Sequence, residues 1–64
     1  MQKEGNTTWG ETGAHTWAVW LTSYGVWRWE VSGPVGWMET NGASSKGDAF
    51  IAVRQCLLRR GESV

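Results

Sequence analysis

A cysteine–histidine pair for nucleophilic catalysis, or a zinc site built from these residue types, could use only Cys56 and His15, because the sequence holds one cysteine and one histidine, and its carboxylates are scattered. Two such residues are too few for a zinc site, and one cysteine excludes an internal disulfide. Cys56 lies on the apolar arc of a predicted helix, where a thiol packs as a small hydrophobe rather than reacting. We therefore expect no catalytic residue, no metal and no cofactor, and we expect alanine at either position to be functionally silent.

Two other patterns could suggest chemistry. Glu30 and Glu39 fall on neighbouring predicted strands, where a solvated acidic face is a simpler interpretation than an acid/base pair. Residues 42–47 are superficially similar to a phosphate loop, but they lack the Gly-Lys-Ser/Thr order that must open the helix. An ordinary loop and helix cap explain them. The sequence therefore favours a binding protein over an enzyme.

The elements that must position these side chains follow from the hydrophobic pattern. Residues 26–31 alternate tryptophan and valine with Arg28 and Glu30, which is typical of a strand with one buried face. Residues 16–22 and 35–40 have strand composition as well. Ser44 or Ser45 is predicted to cap a helix that runs to about Arg60, with Gly61 after its end.

These elements predict an α+β fold, in which a three-stranded antiparallel sheet is packed by one C-terminal helix in the order β-β-β-α. The single domain is expected over residues 15–64. Residues 1–14 are polar and are predicted to form a partly flexible N-terminal arm. A short fourth edge strand could form near the N-terminus, around residues 7–9.

Length and composition limit the function further. The 64 residues allow one domain, and six tryptophans are the main source of core area. Formal net charge is zero, which argues against a binder of nucleic acid or membrane surfaces acting through bulk charge. No apolar run reaches the roughly 18 residues of a membrane span, and no signal peptide is recognised. With a lone thiol, this favours a cytoplasmic location.

One short helix cannot shelter all the bulky side chains. Trp20 and Met38 are predicted on the sheet face away from the helix, and Ile51 and Leu58 on the outer side of the helix. Exposed apolar groups with flanking charges mark interaction sites. The predicted partner-binding residues are Trp20, Arg28, Glu30, Met38, Glu39, Ile51, Arg54 and Leu58. In a competing interpretation, the N-terminal arm closes the far face, with Trp9 lying over Trp20.

A protein partner is the first expectation, with homodimerisation compatible with it. The alternative is a small nucleic-acid-binding domain that uses the sheet and five basic residues, namely Arg28, Lys46, Arg54, Arg59 and Arg60. The helical arginines do not form one stripe, so this alternative lacks the usual electrostatic footprint.

The polar residues 1–8, the tryptophan-rich strands over residues 17–21 and 26–31 and the helix over residues 45–60 together resemble the small phage-encoded anti-CRISPR proteins. The resemblance concerns size, layout and charge polarity across the whole chain, since residues 1–45 carry a net charge of −2 (two basic against four acidic) and residues 46–64 carry +2 (four basic against two acidic). It implies a stoichiometric inhibitor that occludes a surface of a CRISPR effector, and it carries over no residue roles.

Overall fold

A computed structural model describes residues 2–4 and 7–63, which form one antiparallel sheet and one helix. The elements are β1 (Gln2–Glu4), β2 (Thr7–Thr12), β3 (His15–Leu21), β4 (Trp27–Ser32), β5 (Met38–Ala43) and α1 (Lys46–Arg59). The strands lie side by side in chain order, and each pairs antiparallel with the next. The helix packs across β3, β4 and β5 on one face of the sheet.

The pleat of the two central strands builds the core. Val19 of β3 pairs with Trp29 of β4, and Trp17 pairs with Val31 two residues away along each strand. All four side chains face the helix, because alternate residues of a strand point to the same side. Val19, Val31 and the helical Cys56 are fully buried. This layer confirms the predicted buried face of the sheet.

Local signals fix both ends of α1. The Ser45 side chain accepts a hydrogen bond from the Asp48 amide at 3.1 Å, as an N-cap does. At the other end Gly61 adopts φ of +87°, and the Glu62 amide donates to the Leu57 carbonyl at 3.0 Å. Glycine tolerates this left-handed conformation without strain. The predicted cap and terminus of the helix are confirmed.

The predicted α+β class is confirmed, but the sheet has five strands rather than three. Residues assigned to the arm form the full strand β2, which pairs with β3 from Thr7 to Thr12. Gly10 permits this contact, because a Cβ atom there would lie 2.8 Å from Cζ2 of Trp17. The arm therefore extends the sheet beyond residues 7–9. Met1, Gly5 and Asn6 of that arm lie outside the described residues.

The third predicted strand was placed too early. The chain turns through Pro34, Val35 and Gly36, and the Gly33 amide donates to the Trp37 carbonyl at 3.0 Å. Val35 is 86% exposed in this turn, so it shares no strand face with Trp37. The strand then continues through residues 41–43, which were expected to end it. Such turn-forming residues are tolerated here because β5 is an edge strand.

Candidate binding surfaces

The sheet face opposite α1, called here the open face, collects residues from four strands. Its register follows from the strand pairing, since Thr7, Trp20, Arg28 and Gly42 form one row across the sheet. Within the described residues, α1 is the one element that packs on the sheet, and it lies on the other side. The open face consists of Thr7, Trp9, Glu11, Thr16, Ala18, Trp20, Arg28, Glu30, Ser32, Met38, Thr40 and Gly42.

Two indole rings occupy one corner of the open face. Trp9 pairs with Ala18, and Trp20 pairs with Thr7, so the two tryptophans are diagonal neighbours on adjacent strands. Diagonal neighbours are within reach of one another when the side chains are aromatic. Trp9 is 42% exposed, and Trp20 is half-buried. At the far corner Met38 is 59% exposed.

Charged groups lie between these apolar corners. Arg28 stands opposite Gly42, and its Nη1 atom would lie 3.9 Å from a Cβ atom at that glycine. The guanidinium therefore extends over the space that the glycine leaves open. Glu30 lies between Ala18 and Thr40, and Glu11 stands at the edge of the same face. The open face thus carries one cation and two carboxylates among its residues of β2 to β5.

Glu39 lies apart from the other predicted partner-binding residues of the sheet. It faces the helix, where it accepts a hydrogen bond from Arg59 at 3.0 Å and one from the Cys56 thiol at 3.6 Å. The Arg59 hydrogen bond lowers the pKa of Glu39 and raises that of Arg59 itself. Glu39 therefore fastens β5 to the end of the helix, and the structure separates it from Glu30.

A second apolar surface lies on the outer side of α1. Ile51 is 55% exposed and Leu58 is 47% exposed, and the exposed Arg54 lies between them along the helix. Seven residues span about two turns, so Ile51 and Leu58 point the same way. This surface is on the opposite side of the molecule from the open face. The eight predicted residues therefore divide between two surfaces and the Glu39 contact.

Trp9 is the binding candidate that the sequence interpretation missed. The competing interpretation placed its ring over Trp20 as a cover for the far face. The structure instead places Trp9 beside Trp20 in the same layer, because β2 continues the sheet rather than folding across it. The alternation of Thr8, Gly10 and Thr12 with Trp9 and Glu11 is the sequence signal that could have revealed this strand.

His15 and Cys56 have different partners. The His15 Nδ1 atom lies 2.5 Å from Oε2 of Glu62, and the ring packs against Trp37 with centroids 5.5 Å apart. The hydrogen bond from His15 lowers the pKa of Glu62, and the amide of Ala14 adds to the effect. Cys56 is fully buried, and this burial raises the pKa of its thiol. Both residues hold elements of the fold together.

Across residues 2–4 and 7–63, no three His, Cys, Asp or Glu side chains are grouped closely enough to hold a metal ion. The helix of the described chain is too short and too polar to cross a membrane. Comparison of the sequence and structure with known protein families, curated proteins and solved structures found no match.

Proposed function

We propose that this chain is a non-enzymatic binding protein that uses the open face to cover a surface of a protein partner. The observation that carries the proposal is the exposure of Trp9 and Met38 at opposite corners of the sheet face away from the helix, with Trp20 beside Trp9. Large exposed apolar groups with a polar surround are typical of interaction sites. A partner that excluded water from this surface would gain binding free energy by burying both indole rings.

The residue types on the open face match those that dominate binding at protein interfaces. Tryptophan and arginine are enriched among interface residues whose replacement costs about 2 kcal/mol or more of binding free energy. Such a cost corresponds to a loss of affinity of roughly 30-fold. Trp9, Trp20 and Arg28 supply three such side chains on adjacent strands. Because strands hold them rather than loops, little conformational entropy is lost when a partner docks.

The distribution of charge favours a protein partner over nucleic acid. Arg59 is paired with Glu39, and the guanidinium of Arg60 lies 3.8 Å from the ring centroid of Trp37. Arg54 is on the outer side of the helix, away from Arg28 on the open face. Nucleic-acid surfaces instead collect their cations along one groove or stripe. The carboxylates of the open face also suit a partner with basic side chains.

The partner class is proposed from the resemblance to anti-CRISPR proteins. A chain of this size acts most simply by stoichiometric occlusion, in which the open face blocks a surface that the effector needs for another ligand. A basic surface meant for DNA would complement Glu11 and Glu30. We place this action in the cytoplasm, where such effectors operate and where a lone reduced thiol such as Cys56 is stable.

The proposal is tested by titrating the purified chain into CRISPR effector complexes and by affinity capture from a bacterial lysate. Trp9→Ala and Trp20→Ala should each weaken binding to the captured partner by about tenfold or more. Tyr24→Ala is the matched control, because Tyr24 is 91% exposed but lies in the turn before β4 rather than on the open face. It should change affinity by less than about threefold.

Two results would contradict the proposal. One is an affinity for the protein partner that both tryptophan variants retain in full, while circular dichroism shows that they are folded. The other is the absence of any stoichiometric protein partner, together with retention of DNA or RNA whose affinity falls steeply with salt. The second result would instead support the nucleic-acid alternative.

A further inference from the structure

The two edges of the sheet differ in how their sequences guard against pairing. Edge strands are commonly protected by lysine or proline, which discourage another strand from adding to them. The sequence of β1 includes Lys3 and Glu4. The sequence of β5, Met-Glu-Thr-Asn-Gly-Ala, has neither lysine nor proline, and its one charge is on Glu39, which Arg59 already holds. The β5 edge is therefore open to strand addition.

The backbone of β5 presents hydrogen-bonding groups away from β4. The Gly42 amide donates to Oδ1 of its neighbour Asn41 at 2.8 Å rather than to a strand. Alternate residues of an antiparallel edge strand share this outward orientation, so Thr40 and Met38 present their backbone groups in the same direction. A second strand lying along β5 would replace the local Asn41 contact with a ladder of backbone hydrogen bonds.

The flank of α1 next to β5 carries opposite charges at its two ends. Arg59 marks this flank, because it reaches Glu39 on β5. Asp48 is eleven residues earlier, which is close to three full turns, so it lies on the same line of the helix about 16 Å away. Asp48 is exposed and its carboxylate accepts a hydrogen bond from the Ser44 hydroxyl at 2.8 Å. The flank thus runs from negative to positive along the helix.

We infer that a second copy of this chain pairs antiparallel with β5 about a two-fold axis near Thr40 and Asn41. Glu39, near the start of β5, contacts Arg59 at the end of α1. Ala43, at the end of β5, is separated by two serines from the start of α1, so the midpoints of the two elements lie side by side. The same axis then places Asp48 of one copy opposite Arg59 of the other at two symmetric positions. Arg59 donates one hydrogen bond from Nη2 to Glu39, and its guanidinium has further N–H groups to donate to this second carboxylate. This charge complementarity selects a second copy as the occupant of the edge.

The dimensions allow these contacts. Neighbouring strands are about 4.8 Å apart, so β4 of one copy and β4 of the other would be about 14 Å apart. The helix packs across β3 to β5, with its axis near β4, and a helix with its side chains is roughly 10–12 Å wide. The gap between the two helices is therefore one that an arginine and an aspartate can bridge. The dimer would carry ten strands and two adjoining open faces.

Sedimentation equilibrium of the full chain over a concentration series tests the pairing. We expect a reversible dimer of twice the 7.1 kDa chain mass. Thr40→Lys should raise the dimer dissociation constant at least about tenfold, because two lysines then meet at the axis. In the monomer the new lysine has Glu30 as its cross-strand neighbour, so the fold should persist. Thr40→Val is the control, since it removes the hydroxyl without adding charge.

A charge-reversal pair separates this dimer from other self-association. Asp48→Lys and Arg59→Glu should each weaken their own homodimer, because each places like charges opposite one another. An equimolar mixture of the two variants should recover dimerisation, because residues 48 and 59 then carry opposite charges at both contacts of the mixed dimer. A monomer throughout a series reaching about 1 mM, a range that would detect even weak association, would overturn the inference. The inference would also be overturned if Thr40→Lys left dimerisation unchanged, or if the mixture of the two charge-reversed variants did not dimerise. The same holds if Trp20→Ala or Ile51→Ala, at positions away from the β5 edge, abolished the dimer.

Discussion

Replacing Gly33 by alanine should disrupt the packing of Trp37. A Cβ atom at Gly33 would lie 2.0 Å from Nε1 and 2.6 Å from Cε2 of the indole ring. Uncharged heavy atoms pack at about 3.5–4.0 Å, so the ring would have to withdraw by roughly 1.5 Å. It has little space to do so, because Arg60 lies over one face at 3.8 Å and His15 packs nearby.

The expected cost is a large fraction of the total stability. Over-packing a filled site typically costs about 1–3 kcal/mol, and we take about 2 kcal/mol here. A chain of 64 residues is stable by roughly 3–10 kcal/mol. For a domain of this size, about 2 kcal/mol corresponds to a fall in Tm of roughly 8–16 °C. The methyl group is thus predicted to remove between a fifth and two thirds of the stability.

Thermal and urea unfolding of Gly33→Ala and Gly42→Ala together test this reasoning. Gly42 is a matched control, since a Cβ atom there meets its nearest neighbour at 3.8 Å, an ordinary contact. Neither glycine adopts a positive φ, so backbone strain does not distinguish them. We expect Gly42→Ala to stay within about 4 °C of the wild type. A Gly33→Ala protein that melts within about 2 °C of Gly42→Ala would refute the packing argument.

Three further predictions concern other contacts. The pKa of Glu62 is lowered in the folded chain from an ordinary value of 4.5, so its stabilising effect should be full above that value and disappear as pH falls through the lowered one. The difference in Tm between wild type and Glu62→Gln should therefore shrink between about pH 6 and pH 2, and a constant difference would contradict this. The buried Cys56 thiol should react with a disulfide reagent at least about tenfold more slowly in native protein than in urea, and equal rates would show that it is accessible. Ser45→Ala should cost about 1 kcal/mol by calorimetry, because the Asp48 amide loses its acceptor, whereas Ser63→Ala should be neutral.

The open face was only partly predictable. Trp20, Arg28 and Glu30 were assigned to β3 and β4 correctly, because β3 has the β-branched and aromatic composition of a strand and β4 alternates between apolar and charged residues. Trp9 was not assigned to the same surface, because a strand with Thr, Gly and Glu resembles a polar arm until its partner strand is known. Gly10 is informative only once Trp17 lies against it. Contacts between distant residues decided this part of the site.

The position of β5 shows the same limit. A local pattern favoured residues 35–40, because valine and tryptophan are strand formers. The tertiary structure places Trp37 against Gly33, His15 and Arg60, which draws the chain into a longer turn before the strand begins. Asn41 then satisfies the outward amide of Gly42 within the edge strand, so a turn-forming pair remains in the sheet.

The sequence by itself determined the features that depend on neighbours along the chain. These are the two central strands, the cap of α1 at Ser44 or Ser45, its end at Gly61 and the surplus of bulky apolar side chains. The sequence also predicted Trp20 and Met38 on the sheet face away from the helix, and Ile51 and Leu58 on its outer side. Only the tertiary structure decided that Trp9 joins Trp20 and Met38 on the open face, and that Glu39 lies on the opposite face against the helix. The physical reason is register: each strand shows its own alternation, but only pairing with its neighbours specifies which rows meet.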